Sequence, residues 1–388
     1  MRVVICGQLI DGTGKGTVSG AKVFIGDDGR ISRVETAGGE VPTGSEVIDL
    51  SKYTVIPGLV DSHDHLCIDT GDEHAQAQES DQYHIAKGLR NARRMVQGGI
   101  TTLRDVGEKH YNDVVLREAL NSGDFPGPRV ISCGEFMCRT GGHAWYFGVE
   151  VNGPDDVRRA VRQQLKNGAQ FIKVMISGGI GTKGSDPTGQ ELSDEEIQVL
   201  IAEAHRAGRR VAAHIHGGPG ARVAIEAGLD TLEHGIYLTR EELALMAERG
   251  THLVVTHGFI DAALSLPDVP EHFVTKSRVA KEHYQQRIQW AHELGVKVAA
   301  GGDGVHGHPV LELQALARGG FTPLEALRAM TMGGAELLDM QADIGSLEAG
   351  KFADLVAVEG DPVKELTAID NIRFVMRQGV EQFPYFRG

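Results

Sequence analysis

Eight apolar runs of strand length, separated by longer stretches with helical patterning, constrain this chain more than any other feature. They cover residues 54–61, 99–105, 129–132, 171–176, 211–214, 231–234, 253–256 and 296–300. A strand that is apolar almost throughout is buried on both faces, and such strands joined through helices form parallel sheets covered by helices. Eight units of this kind predict an α/β fold, a closed TIM-like (β/α)8 barrel over residues 57–343. The 388 residues suffice for a barrel of roughly 250 residues and a companion. Residues 1–56 alternate short strands with turn signals, and residues 344–388 turn strand-like again at 350–358 and 372–376. The two chain ends are therefore expected to pair into a small β-sandwich domain.

Local signals agree with this plan. Ser193-Asp194-Glu195-Glu196 is a capping-box start for a helix running towards Gly208, and Thr322-Pro323 opens another. Gly12-Thr13-Gly14-Lys15-Gly16 lacks phosphate-loop spacing and has no helix pattern after it, so it reads as a hairpin turn. The acidic, Gln-rich stretch 69–83 reads either as a lid or as a solvated loop and helix.

Barrel enzymes carry their chemistry at the carboxyl ends of the strands, and six residues fall there: His63, His65, Lys173, His214, His234 and Asp303. His63 and His65 stand at i and i+2, so both imidazoles point to one face and can reach one ion. Lys173 lies among apolar neighbours at 171–176, where an unpaired ammonium is costly. Its two outcomes are an ion pair at the barrel mouth, or loss of the proton and reaction with carbon dioxide to a carbamate able to bridge two cations. Asp303 ends the last run, placed to ligate a metal and to take a proton from water. The six together read as a two-metal hydrolase site, and imidazole with carboxylate suits zinc and similar ions. His216 shares the face of His214 and is expected beside the site. His143 follows Gly141-Gly142 on an overhanging loop, as a substrate contact or a structural residue. His257, His306 and His308 line the pocket or belong to loops, and His110, His252, His272, His283 and His292 read as surface or helix residues.

A formal charge of -14 without a Lys/Arg cluster argues against nucleic acid and anionic membranes as partners. The first apolar stretch is too short for a secretory signal and no stretch is long enough to span a bilayer, so a cytoplasmic protein acting on a small-molecule substrate is expected. Cys6, Cys67, Cys133 and Cys138 form no C-x-x-C pair and read as reduced, buried thiols.

In this order, and with Ile56-Pro57-Gly58-Leu59-Val60-Asp61 and the stretches 99–105, 227–235 and 345–355, these residues resemble the amidohydrolase superfamily. The likeness is to its binuclear form with a carboxylated lysine, nearest the prolidase-like branch of dipeptidases and carboxypeptidases. Residues 178–187 depart from the usual branch sequence. The resemblance implies two divalent metal ions, zinc foremost: one held by His63, His65 and Asp303, the other by His214 and His234, with the carbamate of Lys173 between. It further implies cleavage of an amide or peptide-like C–N bond, of a dipeptide or N-acyl amino acid, by a metal-bridging hydroxide, with Asp303 as proton shuttle. His143 would contact the substrate and Lys183 would orient a substrate carboxylate. Opening of a cyclic amide of the hydantoin or imidazolone kind, lactone or ester hydrolysis, and a metal-free scaffold are the competing readings. A mononuclear deaminase is disfavoured, because no glutamate stands three residues after His214. The resemblance leaves a homo-oligomer open.

Overall fold

The apolar run at 54–61 divides at Gly58 into the ends of two strands in different sheets, Glu46–Pro57 and Leu59–Asp64. The Gly58 N–H donates to the Asp354 carbonyl at 2.9 Å, and a Cβ there would lie 2.1 Å from Thr101 Oγ1. Glycine thus lets the chain cross between sheets. The computed structural model describes residues 1–36, 38–267 and 269–383.

Five strands from the N-terminal stretch and three from the C-terminal stretch build one sheet. Its order is Val380–Phe383, Ile372–Arg377, Leu355–Val358, Glu46–Pro57, Arg2–Ile10, Lys22–Ile25, Ile31–Glu35, with Thr17–Ser19 paired to Arg2–Ile10 across the expected Gly-rich hairpin. The Ile31–Glu35 end of this order folds back onto the segment that leads into Leu355–Val358. Ile31 N–H donates to the Lys351 carbonyl and Gly350 N–H to that of Ile31, both at 2.8 Å. The sheet therefore doubles over Val4, Cys6, Val23, Ile25, Leu50, Leu355 and Met376 as a sandwich. Of the predicted range 344–388, residues 384–388 lie outside the described residues.

Among the described residues the eight expected barrel strands are Leu59–Asp64, Ile100–Asp105, Arg129–Ser132, Ile172–Met175, Val211–Ile215, Thr231–His234, His252–Val255 and Val298–Ala300, the first to the eighth below. Pairing is parallel from the first to the third and from the fourth to the eighth. Single backbone hydrogen bonds of 2.9 Å span the two seams, Gln170 N–H to the Ser132 carbonyl and Asp303 N–H to the His63 carbonyl. At the second seam a Cβ on Gly301 would stand 2.4 Å from His63 N, so glycine allows the eighth strand to close on the first. Met137–Arg139 and Val149–Val151 are strands the sequence did not reveal, and Met137 pairs with Val174 of the fourth strand. Three residues are too few to display a period. The capping boxes are present, Ser193 with Glu196 on Asp194–Arg206 and Thr322 with Glu325 on Pro323–Ala329. No helix among the described residues is long and apolar enough to cross a membrane.

Candidate active site

The carboxyl ends of the strands enclose a cavity lined by His63, His65, Lys173, His214, His234 and Asp303. His63, His65 and Asp303 each offer a ligand atom within 4.8 Å of the others. His63 Nδ1 lies 2.7 Å from Glu233 Oε2, and His65 Nδ1 lies 2.7 Å from the Gly107 carbonyl. Both partners can only accept, so each ring donates from Nδ1 and turns Nε2 towards the cavity. Those Nε2 atoms stand 3.3 and 3.9 Å from Asp303 Oδ1. Three convergent ligand atoms, two imidazole nitrogens and a carboxylate oxygen, fit a divalent cation.

Behind His63 lies an ion pair the sequence did not reveal. Arg104 Nη2 donates to both oxygens of Glu233 at 2.8 Å, and Arg104 Nη1 donates to Thr231 Oγ1 at 3.0 Å. Burial pushes Glu233 up, but Arg104 and His63 override it and hold the carboxyl far below its ordinary range. Glu233 and His234 are consecutive, and in an extended strand they would face opposite sides. The backbone at His234 instead has φ +73°, and its ring packs 4.8 Å from that of His63. Asp303 also sits at positive φ, +50°. Non-glycine residues in this region cost on the order of 1–3 kcal/mol each and cluster at functional sites.

His214 and His234 face each other with ring centroids 4.5 Å apart. His234 Nδ1 is 2.7 Å from Thr256 Oγ1, and His214 Nε2 donates to the Gly178 carbonyl at 3.1 Å. Lys173 is 1% exposed, and burial lowers it to about 8, against the pull of Glu233 and Asp303. Burial likewise lowers His65 to about 4 and His143 and His216 to about 3, so all three are neutral near pH 7. Burial raises Asp303, but His63 and its neighbours outweigh burial and leave it at about 2.

His143 lines the cavity with its ring 4.3 Å from that of His214, its Nδ1 2.8 Å from Thr182 Oγ1. His216 packs between His214 and His234, at 4.5 and 4.9 Å. Lys183 is exposed and outside the cavity. The ammonium in this region is Lys276, which donates to the carbonyls of Gly179, Thr182 and Ser185 at 3.0, 2.8 and 2.6 Å. His252 is buried in the seventh strand rather than on the surface. Glu73, in the stretch read as lid or solvated loop, reaches into the cavity and accepts from Tyr146 Oη at 2.9 Å. Burial raises its carboxyl to about 7. Nothing local in the sequence marks it, because Tyr146 and Gly181, against which it packs, lie far along the chain.

His306 supports the first strand from behind, with Nδ1 3.2 Å from Asp64 Oδ2 and Nε2 3.4 Å from Asp69 Oδ1. Burial opposes its charge, yet the two carboxylates raise it to about 10. A folded pKa above the unfolded one means that the imidazolium stabilises the fold fully below about pH 6.5. That contribution is lost as pH rises through about 10. The gap in Tm between wild type and His306→Asn should be widest below about pH 6.5 and narrow towards pH 10. A gap independent of pH would contradict this assignment.

Comparison with known proteins agrees with the geometry. The model of the amidohydrolase family, whose members typically use divalent metal ions, matches residues 54–388. Ochratoxinase of Aspergillus niger is 32% identical over 403 aligned residues, covering 94% of this chain and 82% of that enzyme. The structure of a Xaa-Pro dipeptidase with methionine bound in its active site superposes with a TM-score of 0.89 at 30% identity, covering 98% of this chain and 99% of the other. That of a prolidase complexed with N-methylphosphonate-L-proline gives 0.90 at 26% identity, with 98% of both chains covered. The protein belongs to the amidohydrolase family, in its prolidase-like branch, and is a hydrolase of amide or peptide-like bonds.

Proposed function

We propose that this enzyme cleaves the C–N bond of open-chain dipeptides or N-acyl amino acids, with two divalent cations, zinc foremost, held by His63, His65, Lys173, His214, His234 and Asp303. The observation that carries the reading is the convergence of His63 Nε2, His65 Nε2 and Asp303 Oδ1 in a cavity that also holds a buried lysine. When bound, the cations acidify a water and polarise the scissile carbonyl.

The rest falls to the chain's own residues. Burial lowers Lys173 to about 8, which enlarges the fraction present as the neutral amine near pH 7. That amine adds to carbon dioxide, releases a proton and becomes a carbamate anion, a ligand the ammonium cannot be. Asp303, ionised at neutral pH, accepts the proton that the attacking water loses and hands it to the departing amine. Water is thereby divided between the new carboxylate and the released amine. Arg104 and Glu233 fix the His63 tautomer, and Gly107 fixes that of His65. His143, braced by Thr182, orients the substrate carbonyl or carboxylate.

The dipeptidase and prolidase relatives support dipeptides within this class. Glu73 points the same way, since a carboxylate in the cavity suits the ammonium of a dipeptide better than a neutral acyl group. Loss of one charge-assisted hydrogen bond in Glu73→Gln should raise KM for dipeptides by about tenfold or more. Hydrolysis of N-acetyl amino acids should change little, and an equal change for both would remove Glu73 from this role. The test of the proposal itself is product analysis on dipeptides, N-acetyl amino acids, hydantoins and lactones. Amine released from open-chain amides supports it, and turnover confined to rings or esters would contradict it.

A further inference from the structure

A second group of metal-ligating side chains lies behind the catalytic cavity, outside the six residues discussed. Cys67, His84 and Glu108 are fully buried and offer ligand atoms within 4.8 Å of one another. They come from three places: the loop after the first strand, the helix Asp81–Gln97 and the loop after the second strand. We propose that these three side chains form a third cation site, structural in role and suited to zinc or a similar thiolate-accepting ion.

The hydrogen bonding of each residue carries the argument. His84 Nε2 lies 2.9 Å from the Gln76 carbonyl, which can only accept, so the proton is on Nε2 and Nδ1 is a bare lone pair. That Nδ1 is buried and has no hydrogen-bond partner among the described residues. Glu108 uses Oε1 to accept from Cys67 N at 2.7 Å, while its Oε2 is buried and without a partner. Two buried polar atoms are thereby left without a partner, which is unfavourable unless something binds between them. An imidazole that donates one N–H to a backbone carbonyl and keeps the other nitrogen free to ligate is the arrangement seen around bound metals. The ammonium on the same helix, Lys87, is engaged by Gln76 Oε1 at 2.7 Å and Glu79 Oε2 at 2.9 Å. Gly88 lets the helix approach, since a Cβ there would lie 3.3 Å from Cys67 Sγ and 2.3 Å from Leu116 Cδ1.

Tetrahedral zinc holds its donor atoms about 3.5 Å apart, and three protein ligands leave the fourth position to a water. A cation here would gain a thiolate and a carboxylate and displace into solvent the protons that the thiol and the carboxyl carry. It would tie the loop carrying Gly107, whose carbonyl orients His65, to the helix that covers it. The site would then brace the catalytic one without touching substrate.

Cobalt(II) substitution of the whole protein is the test, because sulphur bound to cobalt gives a near-ultraviolet charge-transfer band that nitrogen and oxygen ligands do not. The six catalytic candidates include no sulphur, so the band reports this site alone, whether or not the catalytic reading holds. We expect the band in wild type, its loss in Cys67→Ser together with one equivalent of cation, and its retention in Cys138→Ser. His84→Gln should weaken or shift the band, which keeps the test usable if Cys67→Ser does not fold. No band in wild type at saturating cobalt, or a band that survives Cys67→Ser, would overturn the proposal.

Discussion

Lys173→Ala is expected to lower turnover by on the order of 10³-fold, the scale seen when an oriented electrostatic element is removed from an active site. Its cation content should fall by one equivalent relative to wild type. Lys173 is a fully buried side chain on the fourth strand in the same cavity as His63, His65, His214, His234 and Asp303. In the ammonium form it would repel cations there. As a carbamate it would supply the negative charge that a pair of divalent ions requires. An ion pair with Glu233 would predict something else, since Glu233 is already satisfied by Arg104, Thr231 and His63. Removing Lys173 would then leave turnover within about tenfold and metal content unchanged. Reconstitution with and without bicarbonate separates the two, because only the carbamate depends on dissolved carbon dioxide.

Asp303→Asn should reduce kcat by about 10²–10⁴-fold, the range for loss of a positioned proton acceptor, with KM and Tm close to wild type. Asparagine is the informative replacement. At φ +50° it is among the few residues that tolerate the left-handed region, and its carbonyl oxygen can still face His63. The substitution therefore removes basicity while leaving backbone strain and packing alone. Steady-state kinetics with thermal unfolding on the same preparation checks this. A variant with unimpaired kcat would take Asp303 out of the proton path, and a collapse of Tm would show it to be chiefly structural.

What could be read from sequence follows from how local each signal is. Strand periodicity places His63 and His65 on one face, and the barrel gathers strand ends, so Lys173, His214, His234 and Asp303 converge although they are scattered along the chain. The partners of these residues are non-local. Arg104 and Glu233 are 129 residues apart, and the alternation rule sends Glu233 away from His234 until the positive φ at His234 reverses it. The run at 54–61 read as one strand because both halves are buried, although they belong to different sheets. Position on a loop did not reveal direction: Lys183 turns outward, while Lys276, from the helix Glu271–Glu293, reaches the same loop's carbonyls. Glu73 is delivered to the cavity by the fold of a stretch whose composition alone is that of a solvated segment.

The central claim is tested most directly by following amino acid released from an open-chain dipeptide by the purified protein before chelation, after chelation, and after a divalent cation is restored in bicarbonate. The account predicts release in the first state, its loss in the second and its recovery in the third. Hydrolysis that persists in the chelated protein, or none from any open-chain amide in the fully loaded protein, would contradict it.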